Sequence, residues 1–124
     1  MTATTRVISV SIPVTDQDKA VAFYTEVLGC DLVADTELWP GARLVEVRPP
    51  GSVVSLLLLP PDSEIPVAIR LGTSDADEAH ARLAGSGIAP LNEGPLRCDG
   101  VPPMFAFADP DGNALVYLED SHDL

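Results

Sequence analysis

The chain has 124 residues, 46% of them apolar and 21% charged, and carries a formal net charge of −12. That length supports one domain with a real hydrophobic core and no need of disulfide or metal staples, and the composition excludes wholesale disorder. Repulsion from phosphates argues against nucleic acid or an anionic membrane as partner. The longest apolar run, Val53 to Leu59, is interrupted by Ser55 and falls far short of the roughly 20 residues a membrane helix needs. The leading MTATTR lacks the apolar segment of a secretory signal, so the expectation is a cytoplasmic protein. Cys30 and Cys98 give neither a disulfide framework nor a metal spacing and read as free thiols.

In chain order, residues 1–5 read as loose. Val7 to Val14 (VISVSIPV) mixes alternation with β-branched residues and predicts a strand. Thr15-Asp16 supplies an N-cap for a helix in which Ala20, Phe23, Tyr24, Val27 and Leu28 recur at spacings of three and four, giving one apolar face that ends at Gly29. Strands follow at Asp31–Leu38, Arg43–Arg48 and Ser52–Leu59, separated by Trp39-Pro40-Gly41 and Pro49-Pro50-Gly51. After Pro60-Pro61-Asp62-Ser63 the order returns: a strand over Val67–Thr73, a helix capped by Ser74-Asp75 and stopped at Gly85 and Gly87, then strands near Ile88–Leu96, Pro103–Asp109 and Asn113–Glu119. Asp16, Asp18, Asp75, Asp77 and Glu78 all stand where helices begin, a stabilising place for negative charge.

An offset of 59 places aligns the halves: Asp16 with Asp75, Asp18 with Asp77, Ala20 with Ala79, Ala22 with Ala81, and Gly41 with Gly100. Cap, helix, strands and turn agree at one offset. The fold class is therefore α+β, two tandem β-α-β-β-β modules over about 6–59 and 66–119. The expectation is a cupped sheet curled around a shared cavity, with both helices outside.

The stretch VSIPVTDQDKAVAFYTEVLG resembles the opening of the vicinal oxygen chelate superfamily, which holds glyoxalases, extradiol dioxygenases and bleomycin-resistance proteins, and DPDGN before a strand is similar to its closing motif. The resemblance covers about residues 6 to 119. It implies a metal held by His, Glu or Gln at four positions, which in this chain are Ser9, Leu57, Ala68 and Val116. None is a His or a carboxylate, and a hydroxyl, an isobutyl, a methyl and an isopropyl group do not supply the donors a divalent ion needs. The expected site therefore has no metal, no cofactor and no catalytic residue. His80 reads as lying in the second helix, on the outside of the cup, and His122 in a polar tail; Tyr117 and Glu119 have the parity opposite to Val116 and point away from the pocket.

Two places along from the four positions, Ser11, Arg70 and Leu118 share their face. Arg70 either pairs with an acid such as Glu46 or one from a second subunit, or grips a ligand oxygen with its planar fork. Trp39 either stacks on a planar ligand at the cavity mouth or covers a strand end, with Arg43 and Cys98 near the same mouth. Phe105, Phe107 and Met104 read as core or dimer packing, and Phe23 and Tyr24 as the helix's buried face. The ligand-binding set is Ser9, Ser11, Trp39, Arg43, Leu57, Ala68, Arg70, Val116 and Leu118. The function expected is metal-independent binding of an apolar or aromatic small molecule, such as an antibiotic, by a homodimer of the kind the resemblance implies. The alternative is a glyoxalase-like lyase or a metal-independent isomerase or cyclase, for which Glu46 and Cys98 are the available bases; a third is a scaffold with a filled cup.

Overall fold

A computed structural model describes residues 4–88, 90, 94–98 and 101–120. Its elements are β1 (Val7–Pro13), α1 (Gln17–Ala22) continued by a π-helical turn (Phe23–Val27), β2 (Asp31–Trp39), β3 (Ala42–Arg48), β4 (Ser55–Leu59), β5 (Ile69–Thr73), α2 (Ala76–Gly85), β6 (Leu96–Cys98), β7 (Val101–Ala108) and β8 (Ala114–Glu119). Helices and strands in this order make an α+β fold of two β-α-β-β-β modules. The chain divides into two compact units, Ile8–Val67, and Ala68 onward together with the leading residues up to Val7. Among the described residues no helix is long and apolar enough to cross a membrane.

In the first unit the strands run β2-β3-β4-β1. β3 pairs antiparallel with both β2 and β4, while β1 and β4 are parallel, since a helix and two strands intervene to carry the chain back. Asp16 caps α1 by accepting from Lys19 N at 3.0 Å. Gln17 ties the helix start to the sheet, its Nε2 donating to Arg43 O at 3.0 Å and Leu58 O at 2.9 Å. Beneath α1 lie Val45, Val47 and Leu58, joined by Ile12, Val14, Leu56 and the helix's own Ala20, Val21 and Tyr24.

The helix's apolar face is narrower than its spacing predicts. Leu28 N donates to Phe23 O, closing a wider turn that holds one extra residue. One residue is about 100° of helix rotation, so the phase slips. Tyr24 stays on the core, whereas Phe23, Val27 and Leu28 stand 48%, 68% and 54% exposed. Phe23 is therefore not part of the buried face. β4 also starts later than expected, at Ser55, because Ser52 Oγ accepts from Val54 N and holds 52–54 in a turn.

In the second unit the order is β5-β8-β7-β6, with β5 and β8 parallel. Asp75 repeats the cap, accepting from Glu78 N at 3.1 Å, and Glu119 Oε1 accepts from Ala76 N at 3.0 Å. Ala79 and Leu83 of α2 cover Phe105, Phe107, Tyr117, Leu71 and Leu115. His80, in α2, is half-buried, its ring edge-on to Phe105 at 5.0 Å. Of the strand expected near Ile88–Leu96, residues 89 and 91–93 lie outside the described residues; β6 spans Leu96–Cys98, and the Ile88 N–H donates to Leu83 O behind the helix. Asn92, Gly100 and His122 lie outside the described residues, as do the side chains of β6, Cys98 included.

Residues before β1 are not loose throughout. Thr5 N donates to Gly72 O and Gly72 N to Arg6 O, both at 2.8 Å; Arg6 Nε meets Asp120 Oδ2 at 2.6 Å, and Thr4 Oγ1 meets the Tyr117 hydroxyl at 2.6 Å. A Cβ on Gly72 would come within 2.6 Å of Thr5 Oγ1 and 3.2 Å of Asp120, so a larger residue there would force Thr5 and Asp120 to shift.

Candidate functional site

Each unit has one sheet face under its helix and one facing away, and pairing registers assign residues to them. In the first unit Val47 and Leu56 lie under α1. The pairs Glu46↔Leu57, Ser9↔Ser55 and Ser11↔Leu57 therefore lie on the helix-free face. Ser9 and Ser55 are each 2% exposed. Ser55 Oγ donates to Glu46 Oε2 at 2.5 Å, holding a half-buried carboxylate against the sheet.

The other end of this face is closed by the chain itself. Ile65 and Val67, in the segment after β4, pack on Ala42, Leu44, Leu57 and Leu59. Ser63 N donates to Pro60 O, Ile65 N to Ser63 Oγ at 3.0 Å, and Ser11 Oγ to Pro66 O at 3.4 Å, so the segment turns back across the strands. Leu57 is 4% exposed because Ile65 covers it. Away from that segment the face carries Ser9, Glu46 and Ser55, with both serines buried and Glu46 half-buried.

Arg43 is not on this face. Its register partner Glu37 and its neighbour Val45 place it on the α1 side, where its guanidinium meets Asp35 and Asp18, each at 2.9 Å. Hydrogen bonds from Asp35 first and Asp18 second push its pKa further up, and the same pairing lowers that of Asp35. Trp39 ends β2 opposite Ala42 and is 44% exposed.

In the second unit Leu71 and Tyr117 are under α2, so Arg70↔Val116, Ala106↔Val116, Gly72↔Leu118 and Met104↔Leu118 share the helix-free face. Val116 is 2% exposed and Leu118 half-buried; Ala68, just before β5, and Arg70 are each 7% exposed. A guanidinium buried beside valine, alanine and leucine is the least expected group on this surface.

Asp109 fixes the start of β8. Its Oδ1 accepts from Asn113 N at 2.8 Å and Asp111 N at 2.9 Å, its Oδ2 from Asn113 Nδ2 at 2.8 Å, and Gly112 takes a φ of 85° that closes the turn. The Asn113 side chain first, then these backbone N–H groups, hold the carboxyl below its ordinary 3.8. The sign follows: the contribution is complete above 3.8 and is lost as pH falls through the lowered folded value. Asp109→Ala is expected to lower the thermal midpoint at pH 7, the difference from the parent narrowing as pH drops below about 4 in a melting series.

A metal of the kind the family resemblance implies does not fit these residues. At the four positions the resemblance implies for ligands, Ser9, Leu57, Ala68 and Val116 offer one hydroxyl and otherwise only carbon. Among the described residues no three of His, Cys, Asp and Glu gather to hold an ion.

A curated relative, the uncharacterized protein YetH of Bacillus subtilis, is 28% identical over 116 residues, 90% of this chain and 95% of that one. Methylmalonyl-CoA epimerase from Mycobacterium tuberculosis superposes with a TM-score of 0.82 at 24% identity, over 97% of this chain and 91% of that one, which shows a shared fold. TnmS3, an antibiotic-binding protein from Streptomyces sp. CB03234, is 34% identical over 98% of this chain and all of its own, with a TM-score of 0.46. The profile of the Glyoxalase/Bleomycin resistance protein/Dioxygenase superfamily matches residues 6–117, and the chain belongs to that superfamily.

Proposed function

We propose that this protein binds a small, largely apolar molecule without a metal, through the helix-free sheet faces. The observation that carries the reading is the replacement of every metal-ligand position by Ser9, Leu57, Ala68 or Val116, with Arg70 buried beside Val116. Apolar walls with few polar anchors are what small-molecule sites require. Arg70's five donors suit a carboxylate or phenolate oxygen of the ligand. Sequestration of an aromatic compound such as an antibiotic is the finer form of this reading, protection then being stoichiometric with protein and independent of turnover. Dimerisation belongs to the same reading and is checked by sedimentation.

The test uses matched probes, 1-naphthoate and 1-naphthylmethanol, followed by ligand-observed NMR. Arg70→Ala is expected to weaken naphthoate by about tenfold or more, one charge-assisted hydrogen-bonded contact, and to leave the alcohol nearly unchanged. Equal losses for both probes would make Arg70 a packing residue.

A second reading, isomerisation by proton transfer, is favoured by Glu46. A carboxylate oriented by Ser55 on a poorly solvated face is a suitable general base, and the solved epimerase of the same fold offers a reaction class. Exchange of solvent deuterium into an acyl-thioester α-carbon, lost in Glu46→Gln, distinguishes it from binding alone.

A further inference from the structure

We propose that Ser9, Glu46 and Ser55 form an anchor for a ligand's hydrogen-bond-donating, positively charged end, an ammonium or amidinium group on an apolar frame. This rests on the binding reading and adds the chemical class to it.

The Ser55 hydroxyl is 2% exposed and donates to one oxygen of Glu46 at 2.5 Å. A carboxylate offers about four lone-pair sites, so most of its acceptor capacity is left after that bond. Ser9 lies directly opposite Ser55 in the β1–β4 register and is equally buried, placing a second hydroxyl beside the first. Ala42, Leu44, Leu57 and Leu59 of this face pack with Ile65 and Val67, and Ser11 stands opposite Leu57, so a group reaching Glu46 lies beside a largely apolar surface. In such surroundings a carboxylate discriminates by charge far more than at an exposed surface.

The other charges of the face fit this. Arg48 has the parity of Glu46 and is exposed, its register partner being Asp31; among the described residues no ion pair joins it to Glu46. Arg43 points to the other face, where Asp35 and Asp18 occupy it. Within the first unit the carboxylate thus has the Ser55 hydroxyl as its hydrogen-bond partner and can take an incoming cation. A net charge of −12 draws such a ligand to the protein as a whole.

The experiment compares 1-naphthylmethylamine with 1-naphthylmethanol, identical apart from the donor head, at pH 7. The amine is expected to bind about tenfold tighter than the alcohol, and Glu46→Gln to bring the two within about twofold of each other. Ser55→Ala is expected to weaken the amine by a smaller factor in the same direction, while Arg82→Ala, on the exposed side of α2, leaves the amine-to-alcohol ratio unchanged. Should the glutamine variant fold poorly, NOEs in the unaltered protein from the methylene beside the ammonium to the Ser9 and Ser55 β-protons give the same answer. Binding of both probes with a ratio indifferent to Glu46→Gln, or with those NOEs missing, overturns the anchor and leaves the binding reading standing. Binding of neither, nor of naphthoate, overturns both.

Discussion

Phe105→Ala is expected to destabilise the protein by about 3–5 kcal/mol, the cost of emptying a large aromatic site in a close-packed core. Phe105 is 0% exposed and touches three rings: His80 at 5.0 Å, Tyr117 at 5.7 Å and Phe107 at 5.9 Å between centroids. These rings, with Ala79 of α2, are most of what holds the helix on its sheet in the second unit. For a domain of this size the loss corresponds to a fall in melting temperature of about 10–20 °C. Urea unfolding monitored by far-UV circular dichroism checks it. A loss below about 1 kcal/mol with an unchanged slope would mean the aromatic cluster is not the centre of that unit.

Ile65→Ala is the second large effect, expected at about 2–4 kcal/mol, with Ile65→Val costing about 0.5–1.5 kcal/mol. Ile65 is 4% exposed and seals Ala42, Leu57 and Leu59 from water. Beyond stability, the alanine variant opens the Leu57 end of the helix-free face. Its amide, which donates to Ser63 Oγ, then exchanges with solvent faster, and hydrogen exchange resolves that change separately from global unfolding. Unchanged local protection beside a large global loss would show that the turn at Ser63, and not Ile65, keeps the segment in place.

Much of this architecture was legible in the residues. Paired Asp caps mark both helices, and strand parity separates Val116 from Tyr117 because alternation in a ladder is strict: Tyr117 faces α2 and Val116 faces away. What escaped was whatever depends on a contact distant in sequence or on an added residue. The π-turn at Phe23–Val27 leaves no mark on a spacing of three and four, so Phe23 looked buried. Arg43 could be placed only once β3's register against β2 was known, which turned it toward Asp18. Ile65 sat in a proline-rich connector that reads as a loop and Val67 at the head of an expected strand that in fact begins at Ile69, and nothing local shows that they pack on β4. Glu46 was legible only as a possible partner of Arg70 or as a base; Ser55, nine positions later, supplies its setting. Here tertiary proximity, and no motif, assembled the candidate anchor.

The pairing of Thr5 with Gly72 and of Arg6 with Asp120 has a consequence for how the chain is made. Thr5 and Arg6 leave the ribosome ahead of their partners, the last of which is translated 114 positions later. Until Gly72 has followed, their backbone groups lack this ladder and are open to association with another chain. A bulky fusion placed directly ahead of Thr4 would hinder that late docking, whereas one joined through a flexible spacer would let the strap close.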